Sequence, residues 1–284
     1  MSLTGSARLA GVVGWPVAQS LSPALHGYWL AKHGIDAAYV PLPVEPVDFS
    51  HVMEALRRTG FRGVNVTVPH KEAAFALANH LDPEARAIGA VNLLTFDNHG
   101  FEGRNTDAVG MAASLTEAGV RVAGHVAAIW GAGGAARAAI HALAGMGACE
   151  IRLFNRTAGR AQALASAFAP RAGVPVTAAG YDTWSSGAKD VALVVHTTSA
   201  GMKGKPPSLD LPLDGLPADA AVFDSVYNPL QTELLSRARA RGLKVVDGLG
   251  MLMHQAVPAF EAFFGVRPAV TPELRRTLEA ELHG

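Results

Sequence analysis

One stretch in the middle of the chain, His125–His141, restricts the possible folds more than any other. It opens with an apolar run, Val126–Trp130, typical of a buried parallel strand, and passes through a glycine turn into an alanine-rich helix. The turn matches the G-x-G-x-x-G/A fingerprint of dinucleotide sites in its required strand–turn–helix setting. Gly131 would permit the sharp turn, Gly133 the close approach of a pyrophosphate, and Ala136 the tight packing of helix on sheet.

The start of this helix is expected to bind phosphate, because its first backbone N–H groups have no partner within the helix. A glycine- and alanine-rich helix start that serves packing alone is the alternative, and the correct flanks on both sides favour the dinucleotide. The predicted phosphate-binding residues are Gly131, Ala132, Gly133, Gly134 and Ala135.

The next predicted strand, Glu150–Asn155, indicates which dinucleotide is bound. An NAD site usually has Asp or Glu at this strand end, where it binds the ribose 2′-hydroxyl. This chain instead offers Asn155, Arg156, Thr157 and Arg160. Guanidinium and hydroxyl donors suit a dianionic 2′-phosphate, whereas unpaired cations at a helix N-terminus oppose the helix dipole. The sequence predicts NADP rather than NAD, with a solvated basic helix start as the alternative.

Composition excludes several classes of protein. The 24 basic and 24 acidic residues give a formal net charge of zero, so no basic field is present to hold nucleic acid or an anionic membrane. No apolar run approaches the roughly 20 residues that span a bilayer, and no signal peptide is recognised. A single cysteine, Cys149, excludes an internal disulfide and indicates the cytoplasm. No metal site is expected.

The 284 residues predict two domains, and about 120 of them precede the glycine turn, which is enough for a separate substrate domain. Strands alternate with helices throughout, which predicts an α/β protein with parallel sheets in both halves.

Polar residues in the first half suggest a ligand site. Gly63–Val68 is predicted to be a strand with Asn65 and Thr67 on one face and valines on the other, and Lys71 lies just beyond it. Open α/β sheets bind ligands at the carboxyl ends of their strands. The alternative is a half-exposed edge strand followed by a surface lysine.

Two serines bracket the first predicted helix. Ser22 precedes Pro23, an arrangement typical of an N-cap followed by proline at the first helical position. Ser20 and Ser22 also surround a helix N-terminus that could bind a substrate carboxylate. Asp107, which opens a later helix, could likewise be only an acid favoured by the helix dipole.

Taken together, the motifs resemble the shikimate/quinate dehydrogenase family over nearly the whole chain. The resemblance rests on Ser20-Leu21-Ser22-Pro23, Asn65-Val66-Thr67-Val68-Pro69-His70-Lys71, Gly89-Ala90-Val91-Asn92, Asn105-Thr106-Asp107, Gly131–Ala136, Asn155-Arg156-Thr157, Thr198-Ser199-Ala200-Gly201-Met202, Val226-Tyr227-Asn228-Pro229 and the Gly248–Gln255 run. It implies a substrate domain at 1–107, completed by C-terminal helices within 251–284, and a Rossmann-type NADP domain with a parallel sheet at 108–250.

The resemblance also implies an activity, the reversible reduction of 3-dehydroshikimate to shikimate by NADPH in aromatic amino-acid biosynthesis. Lys71 and Asp107 would form the catalytic pair, with Asp107 holding the lysine in position. The implied substrate-binding residues are Ser20, Ser22, Asn65, Thr67, Asn92, Tyr227 and Gln255. Further cofactor contacts are implied at Thr198, Ser199, Ser225 and Gly248. A small-molecule substrate and either a monomer or a homodimer are expected.

Four positions depart from the family pattern. Gln19 stands where His is common, Leu93 where Thr is common, His196 where Asn is common, and Ser225 where a larger apolar residue is common. They leave open a quinate or aminoshikimate dehydrogenase. A non-catalytic dinucleotide sensor and a folate dehydrogenase of similar plan are more distant alternatives, and the sensor would be expected to lose Lys71 and Asp107.

Overall fold

The structure, a computed structural model, describes the backbone of residues 3–283 and their side chains except those of Ser186 and His283. The chain divides into two compact units, Met1–Thr106 with Gln255–Gly284, and Asp107–His254. Met1, Ser2 and Gly284, which the predicted domain ranges include, lie outside the described residues.

The first unit contains a six-stranded sheet with the strand order β2-β1-β3-β5-β6-β4. Its strands are β1 (Arg8–Gly14), β2 (Ala37–Pro43), β3 (Phe61–Val66), β4 (His80–Leu81), β5 (Leu93–Asp97) and β6 (Gly100–Arg104). Its helices before residue 106 are α1 (Ser22–His33), α2 (Phe49–Arg57), α3 (Lys71–Leu77) and α4 (Pro83–Ile88).

The expectation of an all-parallel sheet is wrong for this unit. Strands β1, β2 and β3 are parallel, but β5 is antiparallel to both β3 and β6. The β5–β6 pair follows from a tight turn, in which the Asp97 carboxylate accepts hydrogen bonds from the backbone N–H groups of His99 and Gly100. Such a short connection can join only antiparallel neighbours.

Two local predictions for this sheet also need correction. Strand β3 ends at Val66, so Val68 lies outside the strand and is 70% exposed rather than on an apolar face. The sequence predicts Asn92 inside a strand, but the residue lies just before β5, which begins at Leu93.

A histidine lies in the core of the first unit. His26 of α1 is fully buried, its ring stacked on Tyr39 with centroids 3.9 Å apart, and Trp29 and Phe260 lie beside it. Neither ring nitrogen has a hydrogen-bond partner among the described residues. Because burial penalises the charged ring, it lowers the pKa of His26 to about 3.

The second unit contains a fully parallel six-stranded sheet with the order β12-β11-β10-β7-β8-β9. The strands are β7 (Val126–Trp130), β8 (Glu150–Phe154), β9 (Val176–Ala179), β10 (Val191–His196), β11 (Ala221–Asp224) and β12 (Lys244–Val246), and the helices are α5 (Asp107–Glu117), α6 (Gly134–Gly145), α7 (Ala158–Phe168), α8 (Trp184–Gly187) and α9 (Glu233–Ala240). From β7 the chain adds β8 and β9 on one side and then β10, β11 and β12 on the other. The edge between β7 and β10 is therefore the switch point at which Rossmann-type sheets bind dinucleotides. The predicted Rossmann-type fold is therefore confirmed.

Two C-terminal helices complete the chain. Helix α10 (Gly248–Phe264) begins three residues before the predicted start at Met251, and α11 is Pro272–His283. The Thr271 hydroxyl accepts a hydrogen bond from the Leu274 N–H at the start of α11, as an N-cap side chain does.

Candidate functional site

In the first unit, Asn65 is held in one orientation at the carboxyl end of β3. The Tyr39 hydroxyl donates to its Oδ1 at 2.8 Å, and its Nδ2 donates to the Asn92 carbonyl at 3.3 Å. Because the Asn92 carbonyl can only accept, a flip of the amide would place Oδ1 against it and lose that bond, whereas the Tyr39 hydroxyl could serve either orientation. Asn65 is thereby fixed as a donor, with one N–H left over.

A second polar group joins Asn92, Thr106 and Gln255. The Asn92 Oδ1 accepts from the Thr106 N–H at 2.8 Å, and its Nδ2 donates to the Thr106 hydroxyl at 2.9 Å and to Gln255 Oε1 at 3.3 Å. The Thr106 hydroxyl also contacts Gln255 Oε1 at 3.2 Å. Two predicted substrate-binding residues from distant parts of the sequence are therefore brought together, and Thr106 connects them.

The hydrogen bonds of Ser20 and Ser22 at the start of α1 differ from the predicted N-cap. Ser22 lies inside the helix and caps nothing, since Leu21 is the N-cap residue and provides no side-chain bond. The Ser20 hydroxyl instead accepts the Ser22 N–H at 3.2 Å. Ser22 itself is buried.

Lys71 and Asp107 are each the first residue of a helix, which the sequence predicted for Asp107. Lys71 is half-buried at the start of α3, and its carbonyl accepts the Val91 N–H at 2.9 Å, which anchors the backbone there. Thr67 lies between β3 and α3, with its N–H bonded to the Val13 carbonyl. Asp107 is the buried first residue of α5.

In the second unit, Gly131 occupies a position that no other residue fits. Its φ is +128°, and a Cβ there would collide with the Thr197 hydroxyl. Gly133 is the N-cap of α6, makes no side-chain cap, and has open space where a Cβ would be. The first N–H groups of α6 therefore face no capping side chain, which suits a phosphate ligand.

The end of β8 presents the predicted basic group. The Asn155 Nδ2 donates to the Thr157 carbonyl at 2.9 Å, and the other three predicted residues are exposed: Arg156, Thr157 and Arg160. Neither guanidinium forms an ion pair with any residue that the structure describes. Two unpaired cations beside the start of α7, with no acid at the strand end, suit a 2′-phosphate.

The ends of β10 and β11 bring together the remaining predicted cofactor residues. The Ser225 N–H donates to the His196 carbonyl at 3.0 Å, and the Gly248 N–H to the Val226 carbonyl at 3.3 Å. A Cβ on Gly248 would collide with the Ser225 carbonyl. Thr198 is half-buried and Ser199 exposed in the loop after β10, and Tyr227 is half-buried after β11.

The departures from the family pattern lie in different surroundings. Gln19 is exposed and donates to the Pro16 carbonyl, while Leu93 is fully buried opposite Asn65 in the β3–β5 pair. His196 is fully buried at the end of β10, where its Nδ1 lies 2.8 Å from Asp224.

Sequence reasoning missed three residues that hold this site, namely Tyr39, Thr106 and Asp224. Each acts on a residue distant in sequence, so local spacing gives no signal for the contact. Thr106 does lie in the Asn105-Thr106-Asp107 motif that carries the resemblance, but no role was expected for it there.

No group of three or more His, Cys, Asp or Glu residues that could hold a metal ion is found within residues 3–283. Over the same residues, no helix is both long and apolar enough to span a membrane.

The fold and the site define a class: an NAD(P)-dependent dehydrogenase in which a Rossmann-type unit is joined to a second α/β unit with a polar site. A family model described as the shikimate dehydrogenase substrate binding domain matches residues 12–94. A shikimate dehydrogenase (NADP(+)) from Methylobacterium radiotolerans is 54% identical over 280 residues, covering 97% of this chain and 98% of the relative. The chain therefore belongs to the shikimate dehydrogenase family, which confirms the resemblance.

Solved structures agree with this assignment. A shikimate 5-dehydrogenase from Thermus thermophilus in complex with NADP(H) and shikimate superposes with a TM-score of 0.83 at 36% identity, covering 98% of both chains. A quinate dehydrogenase from Corynebacterium glutamicum in complex with NAD gives a TM-score of 0.87 at 30% identity, covering 98% of this chain and 99% of the other.

Proposed function

We propose that the chain is an NADP-dependent shikimate dehydrogenase that reversibly reduces 3-dehydroshikimate to shikimate. The observation that carries this proposal is the match, over almost the full chain and at about half identity, to curated enzymes of that name. The polar groups around Asn65 and Asn92 support it, because a polyhydroxylated ring needs fixed amide and hydroxyl partners.

We assign NADP to the second unit. The cofactor fits the residues there, since the glycine turn leaves no room for a Cβ at Gly131 and the end of β8 has two unpaired arginines. Gly131–Ala135 would hold the pyrophosphate, and Asn155, Arg156, Thr157 and Arg160 the 2′-phosphate. When bound, NADPH supplies the hydride.

The substrate roles fall mainly to the first unit. Lys71 stabilises the negative charge that grows on the carbonyl oxygen and gives that oxygen a proton. Asn65 donates its remaining N–H to a ring hydroxyl, and Ser20 and Ser22 bind the carboxylate at the start of α1. We assign Asp107 as the second catalytic residue and place Thr67, Asn92, Tyr227 and Gln255 among the substrate contacts.

A quinate dehydrogenase is the second candidate, favoured by the structural similarity to the quinate dehydrogenase bound to NAD. Initial rates with shikimate and quinate, each with NADP and with NAD, separate the two. Shikimate with NADP should be the fastest pair. A higher rate with quinate would contradict the proposal.

The proposal also includes a cellular compartment and an oligomeric state. We place it in the cytoplasm, because Cys149 is free and exposed, as suits a reducing compartment. We expect a monomer or a homodimer, which light scattering during size-exclusion chromatography would distinguish.

Replacing Arg156 with alanine should weaken NADP binding about tenfold or more and leave NAD binding nearly unchanged. The reason is that a charged hydrogen bond to the 2′-phosphate is worth about 1.5–3 kcal/mol, and NAD has no such phosphate. Dissociation constants from calorimetry measure both. Arg171→Ala is a matched control, since Arg171 is also exposed but lies over the Phe168 ring. Equal losses for NADP and NAD would contradict the 2′-phosphate assignment.

A further inference from the structure

His196 lies in a buried row of residues at the carboxyl edge of the second sheet. In the strand register it is opposite Trp130 of β7 on one side and Asp224 of β11 on the other. The residue after Trp130 is Gly131, the first residue of the glycine turn. The Thr197 N–H and hydroxyl both donate to the Trp130 carbonyl at 2.9 Å, so the loop after His196 is bonded to the strand that leads into the turn.

The hydrogen bonds of Asp224 fix where His196 carries its proton. One carboxylate oxygen accepts from the Val226 N–H at 3.0 Å and lies 2.8 Å from His196 Nδ1. The other accepts from the Thr232 hydroxyl at 2.7 Å. A carboxylate accepts, so Nδ1 donates to Asp224, and the tautomer that this bond selects for a neutral ring leaves Nε2 unprotonated.

This tautomer determines the direction of the Thr198 hydroxyl. Nε2 lies 2.6 Å from Thr198 Oγ1, and an unprotonated nitrogen accepts the hydroxyl proton. The same oxygen accepts the Ala200 N–H at 3.2 Å. The only proton of Thr198 is therefore directed inward to His196, and toward a ligand its oxygen can only accept.

We propose that His196 is a positioning residue for the dinucleotide. Held by Asp224, it fixes the start of the Thr198–Met202 loop beside the glycine turn and presents Thr198 Oγ1 as a hydrogen-bond acceptor, suited to an amide N–H donor of the cofactor. This inference rests on the proposed function for the identity of the cofactor. An asparagine at position 196 could donate to Asp224 but, being shorter, would not reach Thr198.

His196→Asn is expected to raise the dissociation constant of NADP⁺ about 2- to 10-fold, the worth of one hydrogen bond, with the KM for shikimate little changed. Thr198→Val should give a similar rise, and the double variant should lose less than the product of the two, because both remove the same bond. Calorimetry without substrate measures these constants. In the ligand-free protein, ¹⁵N NMR of His196 should show a protonated Nδ1 and an unprotonated Nε2.

Thr232→Val is the control for a purely structural role. Thr232 is fully buried and bonds the other oxygen of Asp224, so its loss should lower the melting temperature while NADP⁺ binding stays at the wild-type value. Unchanged NADP⁺ binding in His196→Asn, an equal loss in Thr232→Val, or a proton on Nε2 would overturn the inference. If the wild type binds NADP⁺ with these effects but oxidises no shikimate, only the proposed substrate fails. A wild type that binds no NADP⁺ refutes both.

Discussion

Replacing Lys71 with alanine is expected to lower kcat by about 10²–10⁴-fold, the usual worth of general acid–base help, while the KM for shikimate changes little. The ammonium acts mainly on the charge that develops during the reaction, so its loss is felt in the transition state rather than in binding. The melting temperature should not fall. A cation at the first position of a helix opposes the helix dipole, and the backbone there is anchored by Val91. Steady-state kinetics and thermal unfolding of the same sample test both expectations.

Two further variants show what Lys71 contributes. Lys71→Arg keeps the positive charge but holds its proton too tightly to transfer it, so it should recover only part of the lost rate. Asp107→Ala should lower kcat by a similar or smaller factor than Lys71→Ala. If the two residues act as a unit, the double variant should lose much less than the product of the single losses. Near-normal turnover without Lys71 would refute the mechanism.

Gly131→Ala is expected to damage both folding and cofactor binding. Its φ of +128° is strained for any residue with a side chain, at a cost of about 1–3 kcal/mol, and the new methyl group would collide with the Thr197 hydroxyl. The melting temperature should fall, and because the turn must shift, NADP⁺ affinity should fall at least about tenfold. Thermal unfolding and calorimetry measure the two effects.

Gly133→Ala is the matched variant that separates the two effects. Gly133 has a negative φ and open space around its missing Cβ, so the protein should fold with normal stability. The methyl group would nevertheless obstruct the approach of a pyrophosphate, so NADP⁺ binding should weaken. Normal NADP⁺ binding in Gly133→Ala would contradict the assignment of this turn as the cofactor site.

Local sequence patterns predicted the second unit better than the first. The bounds of β7, Val126–Trp130, match the prediction, because a buried parallel strand is a continuous apolar run with sharp ends. In the first unit the alternation of strands and helices predicted a parallel sheet, and the antiparallel pairs that β5 forms with β3 and β6 contradict it. Strand pairing depends on connection length and on partners far away in sequence, neither of which apolar periodicity reports.

In the candidate site, too, local sequence patterns predicted positions but not the contacts between residues distant in sequence. The position of Asp107 at a helix start follows from local signals. The bond from Tyr39 to Asn65 spans 26 residues, and the bond between His196 and Asp224 spans 28. Such partners are brought together only by the sheet. Ser22 precedes a proline, as an N-cap residue often does, but the N-cap of α1 is Leu21 and Ser22 is already inside the helix. The Ser20 hydroxyl accepts the Ser22 N–H instead.

The buried ring of His26 couples the folding of the first unit to the release of a proton. In the unfolded chain the ring binds a proton below about pH 6.5, whereas in the folded protein it stays neutral down to about pH 3. Between these values the unfolded state holds more protons, so the free energy of unfolding falls as the pH falls. At pH 5 this one ring lowers it by about 2 kcal/mol relative to neutral pH, which unfolding curves at the two pH values would measure. Acid thus acts on this protein as a ligand of the unfolded chain, and a single imidazole in an aromatic core limits its tolerance of low pH.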